Sequence, residues 1–369
     1  MLVPQMRPKT LIYFALLLVP AFYFSLVHLA PAVRNQIWEW QEWNSPNRYN
    51  KLSEYPYKYD RKITTNLVIA STKKDDTSWT EHLRVPDLNV VRYVSDDPSA
   101  KYHPPVAKGR EALMYFTYLH EFYDNLPNIS IFIHFHETEW HIDSPLKGSM
   151  IFTLSRLDLE EVLKREYFNL RVNWKDACPD WINTTKSVEE TKKHEEPWVA
   201  PAMRANFGND VQIPEIIAGP CCSQFAVTRE AIQRNPKEQY KRHMDWLIET
   251  EWPDYTTGRV WEHMWPWLFK GEARDCAIEW KALCQMYGIC FESAAALQKY
   301  EKVWENRKNL RDETAFFNEL WSPSAGRNAR RRRKNFEEFM DRKLNEAIER
   351  GKDPTVRRHA LRDMYIDHQ

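Results

Sequence analysis

Apolar and polar positions alternate along this chain in blocks that change character several times. The first block, Leu11 to Ala30 (LIYFALLLVPAFYFSLVHLA), is apolar almost throughout and holds no acidic or basic residue apart from His28. About 20 apolar residues in a helix cross the hydrocarbon core of a bilayer. Arg7 and Lys9 precede it, and Arg34, Glu39 and Glu42 follow. The charge flanks predict a single-pass anchor over residues 11–30, with residues 1–10 cytosolic and the bulk of the chain lumenal. Trp38, Trp40 and Trp43 suit an interfacial belt. A cleaved signal peptide ending near Ala30-Pro31-Ala32 is the alternative, and it sends the chain to the same compartment.

Residues 31–61 carry many Trp, Tyr, Asn and Pro residues without clear periodicity, and read as a stem. From Asn66 short apolar runs take over. Leu67 to Ala70, Leu88 to Val94 (LNVVRYV) and Ile129 to Phe135 (ISIFIHF) read as buried strands. Gly109 to Tyr123 reads as a helix between the second and third of them, stopped before Pro127. Strands alternating with helices predict βαβ units around a mainly parallel sheet, whose ligands sit at the carboxyl ends of the strands. Further along, Leu157 to Tyr167 reads as a helix and Val172 to Pro214 as a long irregular insertion. Cys222 to Thr228 reads as a strand, and Arg229 to Thr250 and Arg259 to Phe269 as helices. Beyond about residue 300 the chain is charged and helical, broken at Trp321 to Gly326.

Composition narrows the choices. Lys plus Arg and Asp plus Glu number 52 each, so no global field points to nucleic acid. Nine glycines, none within six residues of another, exclude both the G-x-G-x-x-G fingerprint and the P-loop. Six cysteines, without C-x-x-C, suit disulfides in an oxidising lumen, and their pairing stays open among 15 possibilities. Asn128-Ile129-Ser130 and Asn183-Thr184-Thr185 are glycosylation acceptor triplets. Arg330 to Lys334, five consecutive basic residues, read as a solvated helix face or a processing site.

Three constellations carry candidate chemistry. His134-Phe135-His136-Glu137-Thr138-Glu139-Trp140-His141-Ile142-Asp143 supplies six metal or acid/base groups at the end of the third strand. If the extended backbone continues, His134 and His136 share one face, and Glu137, Glu139, His141 and Asp143 the other. Imidazole with carboxylate suits zinc or manganese, and a polar loop is the plain alternative. Ser95-Asp96-Asp97-Pro98 ends the second strand, where an acid could accept from ribose hydroxyls, or where the four residues simply form a turn. In Gly258 to Trp265, Glu262 stands between Trp261 and Trp265, where burial would raise its pKa towards a general-base value. Those tryptophans read either as sugar-stacking platforms or as core.

The segments NLVIASTKKDDTSW, VAKGREALMYFTYLHEFYDNLPNISIFIHFHETEWH, CCSQFAVTREAIQRNPKEQYKRHMDWL and GRVWEHMWPWLF together resemble the fungal family called domain of unknown function 3431. The opening strand with Trp79 beyond it, and the late Phe225 to Glu230 segment, are similar to nucleotide-sugar glycosyltransferases of the GT-A type. His134 to Glu139 stand where such enzymes carry D-x-D. The resemblance implies an α/β fold with a GT-A-like mixed, mainly parallel sheet flanked by helices. That domain would span residues 62–300 behind the transmembrane helix, with residues 301–369 as a helical extension. It implies a type II protein of the Golgi or endoplasmic-reticulum membrane that transfers a sugar from a nucleotide donor to a glycan or glycoprotein. Asp96 or Asp97 would hold the nucleotide. His134, His136, Glu137 and Glu139 would bind a divalent metal, manganese for preference, and Glu262 would be the base. A metal-dependent hydrolase on the same histidines, or a non-catalytic lumenal scaffold, are the alternatives.

Overall fold

The computed structural model describes residues 18–43, 46–313 and 320–361. They fall into two compact units: a helical one from the described residues of 1–51 and 295–345, and an α/β one from those of 52–294 and 346–369. Residues 11–17 of the expected anchor lie outside the described residues. From residue 18 to 43 the chain is helical, with a π-helical turn at Ser25–Leu29. Among the described residues no helix is long and apolar enough to cross a membrane.

The segment read as a stem begins with two helices, Ala30–Trp43 and Pro46–Leu52. Their Trp, Asn and Pro content hid the period. The helical unit also holds all but the first residue of Ala294–Glu313 and most of Pro323–Gly351. Arg330 to Lys334 fall inside that last helix, which favours the solvated-face reading over a processing site.

The α/β unit is built on a five-stranded sheet, β1 (Thr65–Ser71), β2 (Leu88–Val94), β3 (Ile129–His134), β4 (Tyr167–Asn169) and β7 (Phe225–Thr228), in the order β2-β1-β3-β7-β4. A two-stranded ribbon pairs β5 (Ile182–Asn183) with β6 (Ile216–Ile217). β1 pairs in parallel with both β2 and β3, so Leu67 lies beside Val90 and Ile131. All seven β1 residues are buried, and such a strand reads as a continuous apolar run rather than an alternating one. β7 runs antiparallel to β3 and to β4, which leaves four strands ending at one edge. The sheet is mainly parallel and flanked by helices.

Helix α1 (Arg110–Glu121) shows why the core sits where it does. Every residue from Ala112 to Leu119 is buried, and a helix apolar all round must be covered on all sides. Its Tyr115 and Phe116 meet Phe132 of β3, Phe225 of β7, and Trp261 and Trp265 of a later helix. Burial of each such ring contributes roughly 1.5–3 kcal/mol. Tyr118 keeps its hydroxyl satisfied through Ser130 and Asn66.

The other helices of this unit are α2 (Met150–Arg156), α3 (Leu159–Arg165), α4 (Glu196–Phe207), α5 (Arg229–Gln233), α6 (Lys237–Glu249), α7 (Asp254–Lys270), α8 (Glu279–Tyr287) and α9 (Pro354–Leu361). Two of them correct the sequence reading. α4 lies inside the stretch read as irregular. Pro197 begins it, where a missing N–H costs nothing, and only Pro201 breaks its interior. Arg229 to Thr250 is two helices because Pro236 caps α6. α9 completes the unit: Arg357 reaches Asp158 at 2.6 Å and donates to the Gln285 carbonyl. Just before it, the Cα of Gly351 faces the Gly288 carbonyl so closely that a Cβ would lie 2.1 Å from that oxygen.

The six cysteines pair as Cys178–Cys276, Cys221–Cys222 and Cys284–Cys290. Asn128, the first acceptor triplet, turns its side-chain oxygen onto Thr64.

One buried histidine makes this core pH-sensitive. His243 on α6 is packed among Phe116, Phe207 and Trp261. Its Nδ1 meets Asn206 at 3.0 Å, and its Nε2 has no hydrogen-bond partner. Burial, with Arg242 nearby, pushes its pKa down to about 3. The folded value lies below the unfolded one, so the unfolded chain binds the extra proton. Stability from this group is full above about pH 6.5 and is lost as pH falls towards 3, at up to ~1.4 kcal/mol per pH unit. Chemical denaturation between pH 6.5 and 5 should show a steeper fall for the native chain than for His243→Gln. Equal slopes would contradict it.

Candidate functional site

β1 is the point from which the chain turns to β2 on one side and β3 on the other, so the carboxyl ends of β1 and β3 diverge there. Such a switch point opens a crevice at the edge of an α/β sheet. His134, the last residue of β3, stands at it.

Beyond His134 the strand stops and a pinned loop begins. The Trp79 indole donates to the Phe135 carbonyl at 2.8 Å. Glu137 accepts from Met150 N through its own carbonyl at 2.8 Å and from the Ser149 hydroxyl through its carboxylate, at the start of α2. Because the extended backbone does not continue, the expected alternation of faces is replaced by a fold-back. His134, Glu139 and His141 come together, and their ligand atoms lie within 4.8 Å of one another. Glu139 Oε2 is 2.9 Å from His141 Nδ1 and 3.4 Å from His134 Nδ1. Its other oxygen accepts from Gln224 Nε2 at 2.7 Å, and Gln224 in turn accepts from the His134 backbone N–H at 3.3 Å.

Of the four expected metal ligands, then, the structure gathers His134 and Glu139. His136 is 53% exposed and 3.9 Å from Glu139, at the rim. Glu137 is turned to Ser149 and supports the loop. His141 completes the set, and its presence in the sequence cluster was the signal for it. Asp143, the sixth group of that cluster, is buried away from it and accepts from Val172 N at 2.7 Å.

Helix α7 packs on the β7 side, its Trp265 donating to Ser223 and meeting Phe225. Glu262 lies between Trp261 and His263, which are both buried. Both tryptophans of this segment, Trp261 and Trp265, are core residues, so neither is a sugar platform. Glu195 fixes the helix: its carboxylate accepts from Arg259 at 3.0 Å through each oxygen and lies 3.0 Å from His263 Nε2. Although burial works against it, these partners hold Glu195 down at about 2. Glu262 sits one residue from His263 and three from Arg259, yet makes neither of those contacts.

Electrostatics ties this helix to the cluster. Burial raises the Glu262 pKa, and Glu111 in the first turn of α1 raises it further, against Arg259, His263 and His134. Burial alone would lower His134, but its bond to Glu139 and the charges of Glu111, Glu139 and Glu262 leave it above the ordinary value. Glu139 stays well below the usual carboxylate range despite its burial, because both histidines bond to it. Glu111 was not legible as a site residue, since an acid in the first turn of a helix ordinarily answers the helix dipole.

Asp96 and Asp97 stand at the end of β2, on the outer side of β1, and are engaged locally. Asp96 accepts from Lys73 N at 2.7 Å. Asp97 accepts from Ser99 N and Oγ and faces Lys73 Nζ at 3.1 Å, bonds that bring its pKa down to about 2. They join the loops after β1 and β2, as a turn does.

Fold and site together define an α/β protein whose sheet carries two imidazoles and a carboxylate in metal-ligand arrangement at its carboxyl edge, with the half-buried Glu262 near enough to interact with His134 through charge. The chain belongs to the family described as protein of unknown function (DUF3431), whose profile matches residues 67–285, a span that takes in all of these groups. No curated protein and no solved structure matches it.

Two imidazoles and one carboxylate suit zinc, which in catalytic sites takes three protein ligands, and manganese accepts the same donors. A cation there would displace the protons that His134 and His141 share with Glu139. Calorimetric titration with Zn²⁺ and Mn²⁺ should find one site per chain. His141→Ala should weaken it by at least ~10-fold, the lower bound for disturbing even a ligand's supporting partner. Glu137→Ala should leave affinity nearly unchanged and lower stability by about 1 kcal/mol through the Ser149 cap. Tight binding by His141→Ala would remove this residue from the set.

Proposed function

We propose that the protein transfers a sugar from a nucleotide donor to a hydroxyl acceptor, with His134, Glu139 and His141 holding a divalent cation and Glu262 acting as base. One observation carries the reading. A metal-type donor set stands at the switch point of a mainly parallel sheet, and a carboxyl of raised pKa interacts with it through charge. The GT-A-like sequence features described above support it.

The cation would neutralise the donor diphosphate. Glu262 takes the proton of the acceptor hydroxyl while its oxygen bonds to the anomeric carbon, and the bond from that carbon to the diphosphate breaks. A base with a raised pKa is suited to this, because it is ionised near neutrality yet basic enough to accept. Asp96 and Asp97 fit a supporting role better than direct nucleotide contact, since Lys73 and Ser99 already occupy them. Three disulfides support an oxidising lumen of the secretory pathway as the setting. The apolar stretch at residues 11–30 is the proposed tether to the Golgi or endoplasmic-reticulum membrane.

A second reading has its own support. Two histidines and a carboxylate are also the three protein ligands of zinc hydrolases, in which a nearby glutamate activates the metal-bound water. Nucleotide binding separates the two. Under the transferase reading, nucleotide sugars raise the melting temperature of the protein in the presence of Mn²⁺ and not in its absence. Glu262→Gln should then lower turnover by roughly 10²–10⁴-fold, while melting moves little, because a neutral amide suits this half-buried position. Full turnover by the Glu262→Gln variant would remove the base. Metal binding without any nucleotide effect would favour hydrolysis.

A further inference from the structure

We propose that Trp140 is a stacking platform for a sugar ring of the acceptor, at the β4 end of the crevice. The inference rests on the transferase reading above and adds to it the position and the chemical class of the second substrate.

Within the α/β unit Trp140 stands out by exposure. Tryptophan is a residue that folding usually hides, yet 69% of this one is open to solvent. It directly precedes the candidate ligand His141, whose ring lies 3.8 Å from its own. Its position is built rather than incidental. The Arg171 guanidinium supports the ring at 5.5 Å. Arg171 is itself largely buried, with Nε 3.8 Å from Asp143 and Nη1 2.8 Å from Cys221 Sγ. Asp143 is fixed in turn by Val172 N. A flat apolar surface held on buried polar supports loses little freedom when a ligand covers it.

The sheet order says which substrate that is. Arg171 follows β4 by two residues, and β4 runs in the same direction as β3, both being antiparallel to β7. In the register of β7, Asn169 and Phe132 both pair with Phe225, so β4 ends level with Phe132, two residues short of His134 at the end of β3. Trp140 and Arg171 therefore lie at the carboxyl edge on the β7–β4 side of His134. The β1–β2 side, with Asp96 and Asp97, is the opposite half. The helix that carries the proposed base Glu262 lies on the β7 side, where its Trp265 indole donates to Ser223 Oγ and packs on Phe225, so the hydroxyl that loses its proton, and with it the acceptor, belongs to the half that Trp140 overlooks. A pyranose offers a face of C–H groups that stacks on an indole, with hydroxyls directed outward from the ring. The exposed His136 at the rim is a polar neighbour for those hydroxyls.

The experiment titrates three disaccharides, mannobiose, chitobiose and lactose, into the full protein by calorimetry without a donor. The native chain, Trp140→Ala and Trp140→Phe are compared, and each is also tested for a Mn²⁺-dependent melting shift with nucleotide sugars. At least one disaccharide should bind the native chain. Trp140→Ala should weaken it tenfold or more, Trp140→Phe should restore most of the loss, and the nucleotide-sugar shift should be the same in all three. Failure of all three disaccharides to bind the native chain, or equal binding by Trp140→Ala, overturns the proposal. If Trp140→Ala abolishes the nucleotide-sugar shift instead, the platform serves the nucleobase. The acceptor assignment then falls while the transferase reading stands. If a disaccharide binds through Trp140 and no nucleotide sugar shifts the native chain, the ring-stacking site holds, and it is the transferase reading that fails.

Discussion

β1 is buried along its whole length and hydrogen-bonded on both sides by strands that run with it. A strand so placed cannot take either neighbour through a tight hairpin, because parallel partners need long crossovers. The chain must leave its carboxyl end once for β2 and, after β2, return through α1 for β3. These departures to opposite sides open the crevice. The helix that fills the second crossover is buried on every side from Ala112 to Leu119, and it gathers the aromatic side chains of β3, β7 and α7 about itself. The position of Glu262 relative to His134 thus follows from how one strand satisfies its backbone.

Helix α7 serves two purposes with adjacent residues. Trp261 and Trp265 are turned into the core, while Glu262 is only half-buried and interacts with His134 through charge. What keeps those roles apart is Glu195, which lies buried at the start of α4 and takes up the charge of Arg259 and the ring of His263. Without it, Arg259 would have no closer acid than Glu262. Partners of this kind convert a crowded stretch of ionisable groups into one base with a defined environment.

Much of the fold was legible because the central strands are short apolar runs closed by polar turns. β2 falls on the expected residues, and β1, β3 and α1 within a few. α4 was not, since proline and charge dominate its sequence and its helical period is carried by only a few buried positions, Val199, Ala202 and Met203 among them. The site was legible as a cluster but not as a geometry. Period-two alternation assumes a strand, and the strand ends at His134. From there, hydrogen bonds to Trp79, Ser149 and Gln224 decide which side chains meet, and those partners are remote in sequence. Glu111 and Glu195 carried no local signal for the same reason.

The return of residues 346–361 to the α/β unit bears on how this protein is made. Arg357 closes on Asp158 across nearly 200 positions of sequence, and Gly351 settles on Gly288. During synthesis, the sheet, the crevice and every candidate ligand leave the ribosome before the segment that completes their packing exists. The nascent unit must wait, with the surface around α8 bare, until the last helices emerge. Late-arriving contacts of such span slow folding, and they assign the helices of residues 295–345 a temporal duty: they set how long that surface stays uncovered.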